Sequence, residues 1–264
     1  MPLIFKGFVV QKFKDIFSES GQLQLQAFLN SQPQVLFAFD FDGTLAPIVD
    51  DPNAAAMNSE VFQRIECLAQ RSKTIILTGR SLEDIQSRLP KGIFRVVGSH
   101  GMEGHPDVTS EFLAHAKSTC EAWITQVSHQ LEGLHRVWIE NKLYSLAVHF
   151  RVRASSHDLP AKILEKCESL SPKPEIIKGK NVINLIPHGM PNKLGALTSV
   201  MKSLNYQRAF FIGDDITDEF IFAAKNKDIF SVKVGSNSPL SAEYYIESQS
   251  EIERLLDFLL KNTK

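Results

Sequence analysis

Short, continuous apolar segments recur along the chain. Val35–Phe39 is apolar at every position, Thr74–Leu77, Phe94–Val97 and Ala209–Ile212 are similar, and Ile229–Val234 is a weaker fifth. An apolar segment without alternation is typical of a strand that is buried on both faces, as in a parallel sheet. The pattern therefore predicts five buried strands.

Segments with helical periodicity lie between these strands. Positions from about Asn58 to Arg71 share one apolar face, Ser81–Asp84 has a helix-capping pattern, and Thr217–Lys225 follows the fourth strand. Strands that alternate with helices are typical of a doubly wound α/β fold with a parallel, Rossmann-like sheet. Residues 1–33 precede this pattern, and we expect them to form an N-terminal extension with one or two amphipathic helices.

The pattern changes in the middle of the chain, at residues 106–187. Two helical segments are each followed by two short strands with a tight connection, which predicts a small α+β domain. This domain would be inserted into a core made of residues 34–105 and 188–264. The segments are Ser110–Leu131, Val137–Lys142, Ser145–Arg151, Leu159–Leu170, Glu175–Lys178 and Val182–Ile186.

Composition is that of a globular protein, with 43% hydrophobic residues and 29 basic against 30 acidic side chains in 264 residues. The net charge of −1 provides no basic field for nucleic acid or an anionic membrane. No apolar segment approaches the roughly 20 residues of a membrane helix, and the first 30 residues lack the features of a signal peptide. We expect a cytoplasmic monomer without nucleic-acid or membrane partners.

Three cysteines, Cys67, Cys120 and Cys167, are widely spaced and odd in number. They show neither metal-site spacing nor a disulfide framework. We expect each of them to be a small buried residue in a helix.

Polar residues and glycines follow four of the predicted strands. These segments are Asp40–Thr44, Thr78–Arg80, Gly98–Gly101 and Gly213–Glu219. In an open α/β sheet, ligands bind at the carboxyl ends of the strands. The four segments therefore predict a functional site at one edge of the sheet.

Acidic residues dominate two of these segments. Asp40 and Asp42 can hold a hard cation, act as nucleophile and general acid, or do both. The alternative is that they belong to a solvated turn without a chemical role. Asp214, Asp215 and Asp218 would repel one another without a cation. Mg²⁺ binds a few carboxylates and keeps positions for water and phosphate, so the pattern predicts a Mg²⁺ site.

These motifs, in this order, resemble those of the haloacid dehalogenase superfamily of phosphotransferases. The motifs are Asp40–Thr44, Thr78, Lys193 and Gly213–Asp215. Within the superfamily, the chain resembles the trehalose-6-phosphate phosphatases over about residues 35–250. The matching stretches are Phe39–Pro47, Leu77–Arg80, Gly98–Gly101 with Glu103, Glu140–Arg151 and Gly213–Glu219.

The resemblance implies a phosphatase mechanism. Asp40 would be the nucleophile that forms an aspartyl-phosphate, and Asp42 would protonate the departing sugar oxygen and later accept a proton from water. Mg²⁺ would be held by Asp40, by the main-chain carbonyl of Asp42 and by Asp214. Asp215 and Asp218 would orient metal-bound waters or Lys193.

Two further residues would bind the phosphate. The resemblance implies a hydroxyl contact from Thr78 and a positive charge from Lys193. From the residues alone, Thr78 can instead cap the following turn, and Lys193 can be a solvated lysine near a helix start.

The inserted domain would be a cap that closes over the site and selects the substrate. In the family, a Glu and a Lys two positions apart contact sugar hydroxyls, and they match Glu140 and Lys142, for which an exposed ion pair is the alternative. Asn184 stands where the family typically has a second sugar-binding Glu, and His149 is expected to form a local hydrogen bond. Further residues expected to bind substrate are Arg80, Ser99, His100 and Gly101.

The sequence thus predicts a Mg²⁺-dependent phosphatase that acts on trehalose 6-phosphate. Asn184 favours the alternative of a related capped phosphatase with another glycosyl phosphate, such as glucosylglycerol phosphate. A phosphohexomutase shares this kind of core, but the motif at Gly213–Glu219 favours hydrolases. A catalytically silent binding module would usually have lost an essential residue, and all of Asp40, Asp42, Lys193 and Asp214 are present.

Overall fold

The computed structural model describes residues 13–31, 34–89, 95–151, 158–179, 181–236 and 241–263. The helices are α1 (Glu19–Asn30), α2 (Ser59–Arg71), α3 (Leu82–Gln86), α4 (Ser110–Gln130), α5 (Leu159–Glu168), α6 (Lys193–Ser203), α7 (Glu219–Ala223) and α8 (Ile252–Asn262). The strands are β1 (Lys14–Asp15), β2 (Val35–Phe39), β3 (Thr74–Leu77), β4 (Arg95–Val97), β5 (Val137–Asn141), β6 (Leu146–Phe150), β7 (Glu175–Gly179), β8 (Val182–Ile186), β9 (Arg208–Gly213), β10 (Ile229–Val234) and β11 (Tyr244–Ile246).

The chain divides into two compact units. The first contains the described parts of Met1–Ile76, Arg88–Arg95 and Met201–Lys264, and the second contains those of Leu77–Ser87 and Val96–Val200. In the described part of the chain, no helix is both long and apolar enough to cross a membrane.

The strands of the first unit belong to a seven-stranded sheet, whose order is β1-β11-β10-β9-β2-β3-β4. The strand pairs from β1 to β3 are parallel, and the neighbours β2 and β9 place Phe39 opposite Ile212. All of β2 is buried, and so is β9 after Arg208. The predicted α/β fold with a parallel sheet is confirmed. A strand that is covered on both faces carries apolar side chains on both of them, which explains why these segments do not alternate.

Helix α2 begins where the sequence predicts. The Asn58 side chain accepts the Val61 N–H at 2.8 Å and caps the helix. The helix packs against α8, and its Arg64 bridges Glu60 and Asp257 at 2.9 and 2.8 Å. The ion pair of Arg64 with Asp257 therefore links the two packed helices.

The N-terminal segment forms a strand of the sheet in addition to a helix. The predicted amphipathic helix is α1, which begins after the capping residue Ser18. The preceding strand β1 pairs in parallel with β11, and Lys14 binds Glu243 at 3.3 Å. The sequence did not predict this strand. Residues 1–12 and 32–33 of the predicted extension lie outside the described residues.

A four-stranded antiparallel sheet, in the order β5-β6-β8-β7, lies in the second unit. Its core joins α4 and α5 to one face of the sheet, with Trp123 and Ile163 from the helices and Val148 and Leu185 from the strands. The indole N–H of Trp123 donates to the Pro172 carbonyl at 2.6 Å. This arrangement fits the predicted α+β cap, whose bounds of 106–187 remain a prediction.

The cysteines differ in their surroundings. Cys120 in α4 and Cys167 in α5 are buried, and burial raises the pKa of these thiols to about 12 and about 11. Both are therefore protonated near neutral pH. The prediction that all three are buried is wrong for Cys67, which is exposed on α2, where the apolar face of the helix is formed by neighbouring residues.

We expect Trp123→Phe to destabilise the protein, because it removes volume from the core and leaves the Pro172 carbonyl without its donor. The free energy of unfolding should fall by about 1–3 kcal/mol. Urea denaturation followed by far-ultraviolet circular dichroism measures this. Trp138→Phe is the matched control, because this indole is 47% exposed, and its effect should stay within about 0.5 kcal/mol. Equal losses in both variants would contradict the expectation.

Candidate active site

The chain leaves β2 at Asp40 and turns back tightly. The Gly43 N–H donates to the Ala46 carbonyl at 2.8 Å, and the Ala46 N–H donates to the Phe41 carbonyl at 2.9 Å. The turn leaves Asp40 only 4% exposed and Asp42 half-buried. The predicted turn is therefore present, and it brings the first carboxylate into a buried position at the end of the strand.

Three carboxylates from the first unit form an acidic cluster, which consists of Asp40, Asp214 and Asp218. One oxygen from each lies within 4.8 Å of the others. Asp214 directly follows β9, the parallel neighbour of β2, and Asp218 ends the 3₁₀ turn that comes next. Asp40 and Asp218 are buried and Asp214 is half-buried, and carboxylates this close repel one another unless positive charge neutralises them. Because hard divalent cations prefer oxygen ligands, this donor set fits such a cation.

Two glycines permit the close approach of these carboxylates. Gly43 has a positive φ of 74°, and a Cβ at this position would collide with the Asp214 carboxylate. A Cβ at Gly213 would collide in the same way with the Asp218 carboxylate. The positions therefore require glycine for space, and Gly43 requires it for its backbone conformation as well.

The turn after β9 is held by a reciprocal pair of hydrogen bonds. The Asp218 carboxylate accepts the Asp215 N–H at 3.0 Å, and the Asp215 carboxylate accepts the Asp218 N–H in return. The Asp215 carboxylate also accepts the Ile216 N–H at 2.7 Å and the Thr217 hydroxyl at 3.2 Å. This is a capping box. Asp215 thus caps the turn, while Asp218 both caps it and belongs to the acidic cluster.

A buried lysine near the acidic cluster was not predicted. Lys233 on β10 is 2% exposed and lies opposite Gly213 in the sheet. Burial lowers the pKa of its ammonium group, and the charges of Asp214 and Glu219 oppose that effect. The available signal was a single lysine within a largely apolar strand.

Thr78, which directly follows β3, is fully buried. Its N–H donates to the Val97 carbonyl at 3.0 Å, and its hydroxyl oxygen accepts the Arg80 N–H at 3.2 Å. The alternative of a turn cap is therefore realised. An accepting hydroxyl still has its own hydrogen for a second bond, so this contact is compatible with a phosphate contact.

Glu103 connects the loops that follow β3 and β4 within the second unit. Its carboxylate accepts the Ser99 hydroxyl at 2.7 Å and the Leu82 N–H at 2.8 Å. Ser99 and His100 both have positive φ values, of 49° and 56°, so these contacts hold an uncommon backbone conformation. Sequence reasoning did not assign Glu103 to the site, although its motif was noticed.

The other predicted loop residues lie in the same segment. Arg80 forms an ion pair with Asp84 at 2.5 Å, and the His100 N–H donates to the Thr78 carbonyl at 2.9 Å. Gly101 has a positive φ of 114°. The predicted loop residues Arg80, Ser99, His100 and Gly101 are thus part of one hydrogen-bonded loop region.

Lys193 is the first residue of α6 and is 2% exposed. This burial excludes the alternative of a solvated lysine. A buried ammonium group requires compensating polar or negative groups, which makes Lys193 a candidate for binding an anion.

Two of the predicted sugar-contacting residues, Glu140 and Asn184, share one row of the four-stranded sheet, whereas Lys142 directly follows β5. Glu140 lies opposite Ala147, and Ala147 lies opposite Asn184. The Lys142 ammonium is 3.9 Å from the Glu140 carboxylate, so the alternative ion pair is formed. His149 binds the same carboxylate at 2.8 Å, which confirms its predicted local hydrogen bond.

Comparison with protein families identifies a match to the trehalose-phosphatase model over residues 38–250. Trehalose-phosphate phosphatase B of Arabidopsis thaliana is 28% identical over an alignment 253 residues long. The match covers 86% of this chain and 67% of that protein. The trehalose-phosphate phosphatase of Mycobacterium ulcerans is 32% identical over 214 residues, which cover 78% of this chain. The chain spans about half the length of the mycobacterial relative, with 55% of that protein covered.

Solved structures show the same fold. A trehalose-6-phosphate phosphatase related protein is 26% identical, with a TM-score of 0.67, and the match covers 86% of this chain and 97% of that one. The C-terminal domain of trehalose-6-phosphate phosphatase from C. albicans has a TM-score of 0.74 at 19% identity, with 95% and 98% covered. At that identity, the likeness concerns the fold alone.

The match of the family model includes both segments that supply the acidic cluster and all four strands of the antiparallel sheet. The predicted resemblance is confirmed. The chain belongs to the trehalose-phosphatase family.

Proposed function

We propose that this protein is a Mg²⁺-dependent phosphatase that hydrolyses trehalose 6-phosphate to trehalose and inorganic phosphate. The observation that carries the proposal is the acidic cluster at the ends of the adjacent strands β2 and β9. Membership of the trehalose-phosphatase family supports the substrate, since the relatives named above are trehalose-phosphate phosphatases.

The proposed metal ligands are Asp40, the main-chain carbonyl of Asp42 and Asp214, with Asp218 beside them in the cluster. Their oxygen atoms suit Mg²⁺. Bound there, Mg²⁺ would neutralise negative charge, so that the nucleophile and the phosphate can approach each other.

The proposed reaction has two steps. In the first, an Asp40 carboxylate oxygen attacks phosphorus, the bond from phosphorus to the sugar oxygen breaks, and Asp42 gives its proton to that oxygen. In the second, Asp42 takes a proton from water, whose oxygen attacks phosphorus and releases inorganic phosphate from Asp40. Burial of Asp40 supports its role, because a fixed and poorly solvated carboxylate is already oriented for attack.

We further propose that Thr78 and Lys193 bind the phosphate. Their burial, the spare hydroxyl hydrogen of Thr78 and the charge of Lys193 support these roles. Glu140, Lys142 and Asn184 are proposed to contact sugar hydroxyls, and their polar side chains near one row of the sheet support this. Among the loop residues, Arg80, His100 and Gly101 remain proposed substrate contacts, whereas Ser99 would act mainly through the loop that it shapes with Glu103.

A second candidate substrate is another glycosyl phosphate, such as glucosylglycerol phosphate. Asn184 favours this substrate. Its amide donates to the Ile177 carbonyl at 3.4 Å, and its neutral side chain lacks the charge that strengthens a hydrogen bond to a sugar hydroxyl. Catalytic efficiencies for a series of sugar phosphates, measured as phosphate release, separate the two. Trehalose 6-phosphate should have the highest kcat/KM.

We expect Asp40→Asn to lower kcat for trehalose 6-phosphate by about 1000-fold or more, because the amide is not a nucleophile. Phosphate release with Mg²⁺, and with EDTA in its place, measures this. Asp50→Asn is the matched control, since Asp50 is exposed beyond the turn. Wild-type turnover in the Asp40 variant, or turnover independent of Mg²⁺, would contradict the proposal.

Gly43→Ala should weaken Mg²⁺ binding about tenfold or more, because the added methyl group displaces the Asp214 carboxylate. Isothermal titration calorimetry with MgCl₂ gives the affinity without any substrate. Gly133→Ala is the control, since Gly133 has a similar φ of 79° but no atom within 4 Å of an added Cβ. Unchanged affinity in the Gly43 variant would rule out its role in placing the ligand.

Glu140→Ala should lower kcat/KM for trehalose 6-phosphate about 10- to 100-fold, the effect of one lost charged hydrogen bond. Hydrolysis of p-nitrophenyl phosphate, which has no sugar, should be unaffected. Glu165→Ala, an exposed position on α5, serves as the control. Equal losses on both substrates would show that Glu140 does not contact the sugar.

A further inference from the structure

The four-stranded sheet has two different faces. Ile139 and Val148 point toward α4 and α5, where they pack into the core. Side chains alternate along a strand. Trp138 and Glu140 therefore lie on the other face, where His149 is opposite Trp138 in the register.

Trp138 is an exposed indole that is nevertheless held in place. The side chain is 47% exposed, and the His149 ring stacks on it with a centroid distance of 5.0 Å and an angle of 9° between the planes. The Arg151 guanidinium lies 5.8 Å from the indole ring. Two neighbours thus order the ring while much of it stays accessible, so little side-chain entropy remains to be lost when a ligand binds.

His149 also orders the neighbouring carboxylate. Its Nε2 lies 2.8 Å from Glu140 Oε2. A single imidazole therefore contacts both an aromatic surface and a hydrogen-bond acceptor. Trp138 and Glu140 are two residues apart on one strand, which separates their backbones by about 7 Å.

This pair of groups suits a pyranose ring. A glucosyl ring has C–H groups on its faces and hydroxyl groups around its edge. The C–H groups are attracted to the negative face of an indole, and the edge hydroxyls can donate to a carboxylate.

We propose that Trp138 is a specificity-determining residue that stacks against a glucosyl ring of the substrate, beside the hydroxyl-binding Glu140. His149 is the positioning residue for both. This inference rests on the proposed function, because it requires a substrate with a sugar ring.

The two tryptophans of the chain make the proposal measurable without turnover. Trp123 is fully buried, whereas Trp138 is exposed, so acrylamide quenches mainly the fluorescence of Trp138. Trehalose, added to the protein, should lower the quenching constant of Trp138, whereas an equal concentration of glycerol should not. In Trp138→Phe only the buried Trp123 emits, so this variant should show little acrylamide quenching with or without trehalose. No protection by saturating trehalose, or equal protection by glycerol, would overturn the proposal.

Kinetics provide the second readout. Trp138→Ala should raise KM for trehalose 6-phosphate about 3- to 10-fold with little change in kcat, and should leave p-nitrophenyl phosphate hydrolysis unaltered. Trp138→Phe should have a KM close to that of the wild type, because phenylalanine also presents an aromatic face. A KM that is unchanged in Trp138→Ala overturns the stacking role.

The positioning role of His149 requires a separate comparison. His149→Phe keeps a ring against Trp138 but loses the bond to Glu140, so protection by trehalose should persist while KM rises. His149→Ala should lose protection and raise KM as well. Identical behaviour of the two variants would contradict the assignment of both contacts to His149.

The outcomes also separate this inference from the proposed function. Hydrolysis of trehalose 6-phosphate by the wild type, without protection of Trp138, overturns the stacking platform and leaves the function standing. A wild type that shows neither hydrolysis nor protection overturns both.

Discussion

Mutual repulsion among the three carboxylates of the acidic cluster is the constraint on which the first unit is built. Asp40, Asp214 and Asp218 place one oxygen each within 4.8 Å of the others. Such an arrangement is stable only with compensating positive charge. The parallel pairing of β2 and β9 brings two of these residues together, although they are far apart in the sequence.

The backbone around the cluster has little freedom to change. Gly43 and Gly213 leave the space into which Asp214 and Asp218 fit. The capping box between Asp215 and Asp218 holds the turn that carries the third carboxylate. Lys233 adds a buried positive charge close to Asp214. The glycines and the capping box therefore fix the positions of the three carboxylates. Lys233 offsets only part of their negative charge, and the proposed Mg²⁺ would offset more of it.

The two faces of the four-stranded sheet in the second unit carry different side chains. The apolar face binds α4 and α5 and supplies the core. On the opposite face, His149 connects the exposed Trp138 to Glu140. Because alternate residues of a strand point to opposite sides, a substitution such as Trp138→Ala can change this face without opening the core. The proposed sugar contacts can therefore be changed while the core is maintained.

By itself, the sequence determined the α/β class, the strands β2, β3, β9 and β10, and the acidic residues that follow β2 and β9. These are local properties, because apolar continuity, periodicity and capping patterns act over a few neighbouring positions. Only the tertiary structure decided that Asp218 joins the cluster while Asp215 caps the turn, that β1 pairs with β11, and that Cys67 is exposed. It also decided that Lys193 and Lys233 are buried. Burial, register and charge pairing depend on residues that are distant in the chain, and a single sequence carries no direct record of which distant residues meet.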